Sequence, residues 1–229
     1  MSKQIDINDS VSVIPSGTTG STNISTSTQY PTSNGYHGIS NTSSYARLQL
    51  SATNTSTNCY IYYTFDVQDI PANATITSIS CVARVYRNSR VSNATLQLYS
   101  NTTAKGSATT FTNTSASNIT ISSTGSWTVS ELSDLRLMIK GTRSSTNQTS
   151  YIYFYGSDIT INYNVSGIEY EITARSEYSG ATISPASQDV ISGGDCTFQI
   201  LTSDLTNIKV EDNGVDVTED LQYVIPSSG

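Results

Sequence analysis

The stretch Cys59-Tyr-Ile-Tyr-Tyr-Thr-Phe65 decides the fold class. Ile61, Tyr63 and Phe65, with Val67 beyond them, fall at every second position, and Tyr60, Tyr62 and Thr64 alternate with them. A period of two puts one set on each face of a β-strand, so one face is inward and the other outward. The pattern recurs on both sides. Upstream lie Leu48/Leu50, and before them Ile5/Ile7 and Val11/Val13, which end at Pro15-Ser-Gly17. Downstream come Ile79/Cys81/Ala83/Val85, Leu96/Leu98, Leu135/Leu137/Ile139 and Ile159/Ile161/Tyr163/Val165. About eight such strands, polar on the alternate face, predict an all-β protein built as an antiparallel jelly-roll sandwich of two sheets.

Composition agrees with this reading. The 229 residues include 39 Ser, 33 Thr and 17 Asn, with 36% hydrophobic and only 13% charged residues. A charged disordered polymer, a coiled coil and a helical bundle are all excluded by so little charge and so few helix formers. One helical turn is predicted at Trp127-Thr-Val-Ser-Glu-Leu-Ser-Asp-Leu135, where Thr128 and Glu131 stand at capping-box spacing. Trp127 reads as a core plug rather than a sugar stacker. The segment 16–44 has linker-like composition, yet Tyr30-Pro31, Tyr36, His37 and Ile39 would be wasted in a solvated tether. It is expected to be a long ordered loop laid over the sandwich.

Charge divides the chain. Residues 1–166 carry nine Lys/Arg against seven acids, net +2, whereas residues 167–229 carry two against eleven, net −9. A shift of this size at Asn164-Val-Ser-Gly167 predicts two domains: the sandwich at 1–166, including the 16–44 loop, and a small acidic module at 167–229. Strands are expected there at 169–175, 182–190, 196–202, 207–211 and 215–217, with turns at Ser192-Gly-Gly-Asp195 and Asp212-Asn-Gly214. So short a module has a thin core and is expected to lean on a neighbour.

Catalytic parts are scarce. Cys59, Cys81 and Cys196 lack metal-site spacing and read as small strand hydrophobes. His37 is the one histidine and lies in the Ser/Thr-rich loop, so any triad would have to be built on it. Paired carboxylates would have to come from Asp66, Asp69, Glu131, Asp134 and Asp158. Asp212, Asp216, Glu219 and Asp220 cluster without the pattern of a calcium loop and read as a solvated face. The pI of about 4.5 disfavours nucleic acid, and Arg84, Arg87 and Arg90 read as an interface or solvated edge rather than a phosphate track. No enzyme activity, metal or cofactor is expected. No apolar run is long enough to span a membrane, and the N-terminus lacks the apolar segment of a secretory signal, so folding in a cytoplasm is expected.

The chemistry that could carry function is aromatic. Tyr60 and Tyr62 in one strand, and Tyr151, Tyr153 and Tyr155 in another, alternate with inward Ile61, Ile152 and Phe154, which predicts a tyrosine-rich outer sheet face. Buried or interfacial tyrosines are the first reading. A sugar platform, with rings under sugar faces and Asn, Ser and Thr on hydroxyls, is the second.

Two resemblances extend these readings. The run Trp127-Thr-x-x-Glu-Leu-x-x-Leu-x-Leu-x-Ile-x-Gly141, followed by Tyr151-x-Tyr-x-Tyr-Gly-Ser-Asp-Ile-Thr-Ile-Asn-Tyr163, resembles the last core strands of jelly-roll modules in virion proteins of bacteriophages that infect Gram-positive bacteria. Phe65-x-x-x-x-Ile-Pro-x-Asn-Ala-Thr-Ile-Thr-Ser-Ile79 is similar to a corner of the same modules. The second segment resembles bacterial Ig-like and internalin-type B-repeat modules. The matching residues are Ile172-Thr-Ala174, Gly180-Ala-Thr-Ile-Ser-Pro185, Gly194-x-x-Thr-Phe198 and Val210-x-x-Asn-Gly-x-x-Val217, though the usual closing strand is missing or shortened to residues 221–225. These resemblances imply a non-enzymatic virion structural protein, exposed on the particle, that attaches to the host surface or decorates capsid or tail. The implied partners are other virion subunits, a second copy among them, and host cell-wall glycan, with assembly in the host cytoplasm. A bacterial cell-surface carbohydrate-binding module is the alternative.

Overall fold

The computed structural model describes residues 2–123, 126–176, 179–191, 197–202, 211–212 and 215–216. Two compact units result: Asp6–Ser166, and Gly167–Gly229 together with Met1–Ile5. Strands lying wholly or largely in the first unit, in chain order, are β1 (Ser2–Val13), β2 (Pro15–Thr22), β3 (Ile24–Ser25), β4 (Ala46–Leu50), β5 (Cys59–Phe65), β6 (Thr75–Arg87), β7 (Val91–Ser100), β8 (Thr103–Ala104), β9 (Thr109–Thr110), β10 (Ser117–Ser122), β11 (Leu135–Arg143) and β12 (Ser150–Thr173). β12 runs on into the second unit, and β1 pairs with it. Ser12 meets Thr160 at 3.5 Å and Tyr163 donates to Asp9 at 3.1 Å, so the residues preceding Asp9 lie towards the later part of β12.

Two antiparallel sheets make the sandwich. The first has the order β10-β6-β12-β4-β3, the second β2-β5-β11-β7-β8, with β9 also on β7. From β4 to β7 the chain changes sheet at every strand, and it does so again from β10 to β12. Most of the predicted inward residues fill the space between: Leu48, Leu50, Ile61, Tyr63, Phe65, Ile79, Cys81, Ala83, Val85, Leu96, Leu98, Leu135, Leu137, Ile139, Ile159, Ile161 and Tyr163 are buried, whereas Val11, Val13, Val67 and Val165 are half-buried and Ile7 is exposed. Contacts cross the gap directly, as where the rings of Tyr63 and Phe154 lie 4.4 Å apart. Gly141 on β11 leaves the room that Ile152 and Leu50 of the opposite sheet fill, since a Cβ there would meet them at 2.8 and 2.9 Å.

The turn α1 (Val129–Leu132) forms with its capping box on Thr128 and Glu131, and buried Leu132 and Trp127 plug the core. Trp127 Nε1 donates to Ser123 Oγ at 2.6 Å, and Lys105 lies over the indole at 5.1 Å while pairing with Glu131.

The 16–44 segment differs from the expected loop. Residues 15–22 form β2 on the edge of the second sheet, in register with β5, and Ile24–Ser25 form β3. β-branched threonines suit an edge strand, but β2 carries no apolar alternation to reveal it. The rest of the segment does lie on the sandwich. Tyr63 donates to Thr32 O at 3.3 Å, Gly35 packs against Phe154 and Tyr63, and Ser157 N–H donates to His37 O at 2.9 Å. β10 is a second strand missed by sequence reading: its inward pair, Ile119 and Ile121, is too short to stand out among Ser, Thr and Asn.

In the second unit, β13 (Ala181–Ser184) pairs with β15 (Gln199–Thr202), β14 (Ser187–Ile191) pairs with the end of β12, and β16 (Glu211–Asp212) pairs with β17 (Val215–Asp216). The expected 182–190 strand is thus two strands. Pro185, which has no N–H for a ladder, stands at the break. Cys196, the 192–195 and 213–214 turn residues, most of the 207–211 strand, Val217, residues 221–225, Glu219 and Asp220 lie outside the described residues, as do the side chains of Asp212 and Asp216.

Candidate functional site

The five tyrosines singled out from the sequence all point outward, but not on one face. Tyr151, Tyr153 and Tyr155 lie on β12 in the first sheet, and Tyr60 and Tyr62 lie on β5 in the second. Both strands aim their inward residues into one core, where Tyr63 meets Phe154, so their outward neighbours sit on opposite sides of the sandwich. The single tyrosine face becomes two.

On the first sheet, strand pairing sets the arrangement. Tyr153 stands between Arg47 of β4 and Tyr86 of β6. The rings of Tyr86 and Tyr153 stack 4.2 Å apart and 3° from parallel. Tyr45, just before β4, stacks on Tyr30 at 4.9 Å and turns its edge to Tyr153 at 5.6 Å and its tilted ring to Tyr155 at 5.3 Å. Arg47 covers Tyr30 at 4.5 Å and Tyr151 at 5.1 Å, and Arg84 lies 5.6 Å over Tyr155. Neither arginine forms an ion pair among the described residues, and Arg84 Nε is buried with no hydrogen-bond partner. Burial, with Tyr153 and Tyr155 close by, pushes the Tyr86 hydroxyl up to about 12. The hydrogen bond with Tyr30 raises Tyr45, and burial adds to it.

A bulge in β12 aims Tyr155. The register with β6 shifts between Phe154 and Gly156, which inserts Tyr155 as an extra outward residue. Gly156 sits at φ +149°, and a Cβ there would lie 2.0 Å from His37 O. The loop therefore presses on the bulge from outside the sheet, and Asn41 Nδ2 donates to Tyr155 O at 3.0 Å to hold it.

On the second sheet the rings do not close over one another. Tyr62 pairs across to Met138 on β11, and Met138 to Gln97 on β7; Tyr60, Lys140 and Thr95 form the next row. Tyr62 meets Tyr60 and Tyr99 edge-on, at 5.5 and 5.3 Å, above Met138, which is buried although it faces outward. Between the rings a shallow cleft of about 330 Å³ remains. Its polar groups are held in place: Gln97 Nε2 donates to Gly106 O at 2.8 Å, Tyr99 donates to Gln97 Oε1 at 3.4 Å, and Thr142 donates to Asn58 Oδ1 at 3.3 Å. Burial, then the neighbouring tyrosines, raises the Tyr62 hydroxyl above the ordinary tyrosine value.

The residues weighed for catalysis or metal binding are engaged in local structural contacts. Glu131 accepts from Thr128 N–H and pairs with Lys105, which together hold its carboxyl below the usual range. Asp134 pairs with Arg136, Asp158 accepts from Ile39 N–H, and Asp66 accepts from Gln68. His37 is exposed and contributes its carbonyl. Cys59 and Cys81 are free, buried thiols, and burial raises both. Arg84, Arg87 and Arg90 do not form a stripe: Arg84 joins the tyrosines, Arg87 donates to the carbonyls of Asn88 and Val91, and the Arg90 carbonyl accepts from Ser144 and Ser150. Among the described residues no group of three His, Cys, Asp or Glu is placed to hold a metal ion, and no helix is long and apolar enough to cross a membrane.

Sequence reasoning missed Tyr45, Tyr86 and Arg47 on one face, and Tyr99, Gln97 and Lys140 on the other; Arg84 was read as an interface or edge residue, and Tyr30 as part of the covering loop, without their tyrosine neighbours. A signal existed for some: Arg84 and Tyr86 occupy the outward positions of the Ile79-to-Val85 strand. Which strands would be neighbours was not legible. No protein family matches this chain, and no curated protein matches it either.

Proposed function

We propose that this chain is a non-enzymatic structural protein of a bacteriophage particle, exposed on its surface, and that it works through contacts made by its sandwich. The observation that carries the reading is the outer face of the first sheet: six half-buried tyrosines packed ring on ring, with two arginines that have no carboxylate partner among the described residues. Tyr and Arg are enriched at protein–protein hot spots, Tyr because its ring offers a large contact area with few rotors and a polar tip, Arg because its planar guanidinium stacks on rings and carries five donors. The strand order, β4-β12-β6-β10 facing β5-β11-β7-β8, supports the jelly-roll reading that motivates the virion assignment. The Ig-like reading of 167–229 stands on the sequence resemblance.

The partner that fits this face is another subunit of the particle, a second copy of this chain first of all. Arg47 and Arg84 bring positive charge without acids, and residues 167–229 carry a net −9 that a neighbouring copy can supply. Such a contact joins unlike surfaces, and builds a ring where its rotation closes and a filament where it does not; weak contacts multiplied in this way give a firm hold on capsid, tail or host wall. Sedimentation of the full chain across a range of concentrations tests this: oligomers are expected, and Arg47→Ala with Arg84→Ala should return the monomer. A wild-type chain that stays monomeric, and is not found on purified particles by immunolabelling, sinks the reading.

A second reading rests on the cleft of the other sheet. Ring edges, amides and a lysine around a hollow are the furniture of a sugar site, as expected of a bacterial cell-surface carbohydrate-binding module. A glycan array with the full chain separates the two, since subunit contact alone predicts no glycan signal.

A further inference from the structure

The cleft on the second sheet carries an inference about its ligand. It stands apart from the subunit-contact face and deepens only the sugar-binding reading. Three observations define it. The floor is apolar: Met138 is 6% exposed although it occupies an outward strand position, and Tyr62 bridges over it to Tyr99. The rim is polar and pre-set. Gln97 is fixed at both ends of its amide by Gly106 and Tyr99, and Asn58 has its carbonyl engaged by Thr142, which leaves its amide N–H groups to donate. The charge is one-sided: Lys140 lines the cleft, has no ion pair or hydrogen bond among the described residues, and no Asp or Glu lines the cleft with it.

We propose that this cleft binds one or two sugar rings of a polysaccharide that carries an acid group, with the acid on Lys140. A pyranose has an apolar face made by its C–H groups and an equatorial ring of hydroxyls. The first suits the Tyr60, Tyr62 and Met138 surface, and the second the amides of Asn58 and Gln97. The volume of about 330 Å³ is at the small end of ligand clefts and fits a short stretch of glycan rather than a peptide helix or a nucleotide cofactor. Register supplies the last element. Lys140 lies in the row of Tyr60 and Thr95, next to the row of Tyr62 and Gln97. An anionic substituent on a sugar seated over Tyr62 therefore falls within reach of an ammonium that no protein group neutralises. The acid is a carboxylate, as on a hexuronic acid, or a phosphate, as on a sugar-phosphate polymer; the ammonium pairs with either.

Calorimetric titration of the full chain tests this with three oligosaccharides of equal length: neutral gluco-oligosaccharide, hexuronic-acid oligosaccharide and a sugar-phosphate oligomer. At least one acidic probe should bind about ten- to a hundred-fold more tightly than the neutral one, the gain from a hydrogen bond to a charged group. The stronger of the two names the acid. Lys140→Gln should bring the acidic probes down to the neutral affinity and leave the neutral probe unchanged, while Tyr62→Leu should weaken all three. Melting curves for both variants show whether the fold is kept, and perturbed NMR amide signals on β5, β7 and β11 locate the ligand in the wild-type chain. Equal affinity for neutral and acidic probes, no binding of any probe, or an unchanged acidic affinity in Lys140→Gln overturns the proposal. The subunit contact is read separately, from sedimentation of the Arg47 and Arg84 variants, so either proposal can fail alone.

Discussion

The two outer faces of the sandwich use the same residue type to different ends. On the first sheet the rings of Tyr86 and Tyr153 lie parallel at 4.2 Å, Tyr30 and Tyr45 lie parallel at 4.9 Å, and arginines cover what is left. On the second sheet Tyr60, Tyr62 and Tyr99 meet edge-on and stand around a hollow floored by Met138. Parallel stacking covers a face of both rings, whereas edge-on packing covers a face of only one. The first face is thus a closed array of rings and arginines, suited to another protein surface, and the second is a set of walls around a hollow, suited to a small ring. Tyrosine content by itself does not choose between these outcomes; the strand neighbours and the bulge at Tyr155 do.

Five substitutions sharpen or break that contrast. The largest effect belongs to the core beneath both faces. Phe154→Ala should cost about 3–5 kcal/mol in chemical denaturation, because the ring is fully buried against Tyr63 of the opposite sheet. A loss under 1 kcal/mol would mean that the faces are not backed by one core. Next comes Gly156→Ala, which forces a side chain onto a φ of +149° and towards His37 O. About 2–3 kcal/mol of stability should be lost, and Tyr155 should leave its contacts with Tyr45 and Arg84, seen as shifted aromatic NMR signals. Full tolerance would show that the bulge does not shape the first face.

The direct comparison is smaller. Tyr153→Ala should cost about 1–2 kcal/mol, since it removes a stacked partner of Tyr86 and an edge contact to Tyr45. Tyr60→Ala on the other face should cost about 0.5 kcal/mol or less. Equal losses would erase the distinction between a closed face and an open one. A last difference is seen in alkali. Tyr86 holds its proton up to about 12 in the folded chain against an ordinary value of 10.0, so the protonated ring favours the native state. That contribution is whole below pH 10 and fades as pH rises towards 12, and Tyr86→Phe should flatten the decline of stability across this window. A phenolate absorbance titration in which every tyrosine ionises near 10 would contradict it.

Much of this architecture was legible because a strand writes its buried face into alternate residues. Leu48, Ile61, Cys81, Leu96, Leu137 and Ile159 were placed inward by that rule and are buried. The rule failed where alternation was weak or polar. β2 is a strand of Ser, Thr and Gly, whose identity depends on β5 offering its edge; β10 has two isoleucines in a run of hydroxyl and amide residues. Outward orientation of Tyr60, Tyr62, Tyr151, Tyr153 and Tyr155 was legible for the same reason as the core. Their division between opposite sides was not, because it depends on which sheet each strand joins, and strands of either sheet carry the same local pattern.

By itself, then, the sequence determined an all-β chain, the inward and outward set of most strands, the capped turn at Thr128 and the contrast in charge between residues 1–166 and 167–229, all of them properties of neighbouring residues and of composition. Tertiary structure decided what lies beside what. It carried Tyr86 and Arg47 to Tyr153, set Lys140 and Gln97 beside Tyr62, and pushed Tyr155 out over the bulge at Gly156. Those pairings join residues far apart in the chain. Strand order and register, which bring such residues together, arise from the burial of both sheets against one core and cannot be written in any single strand.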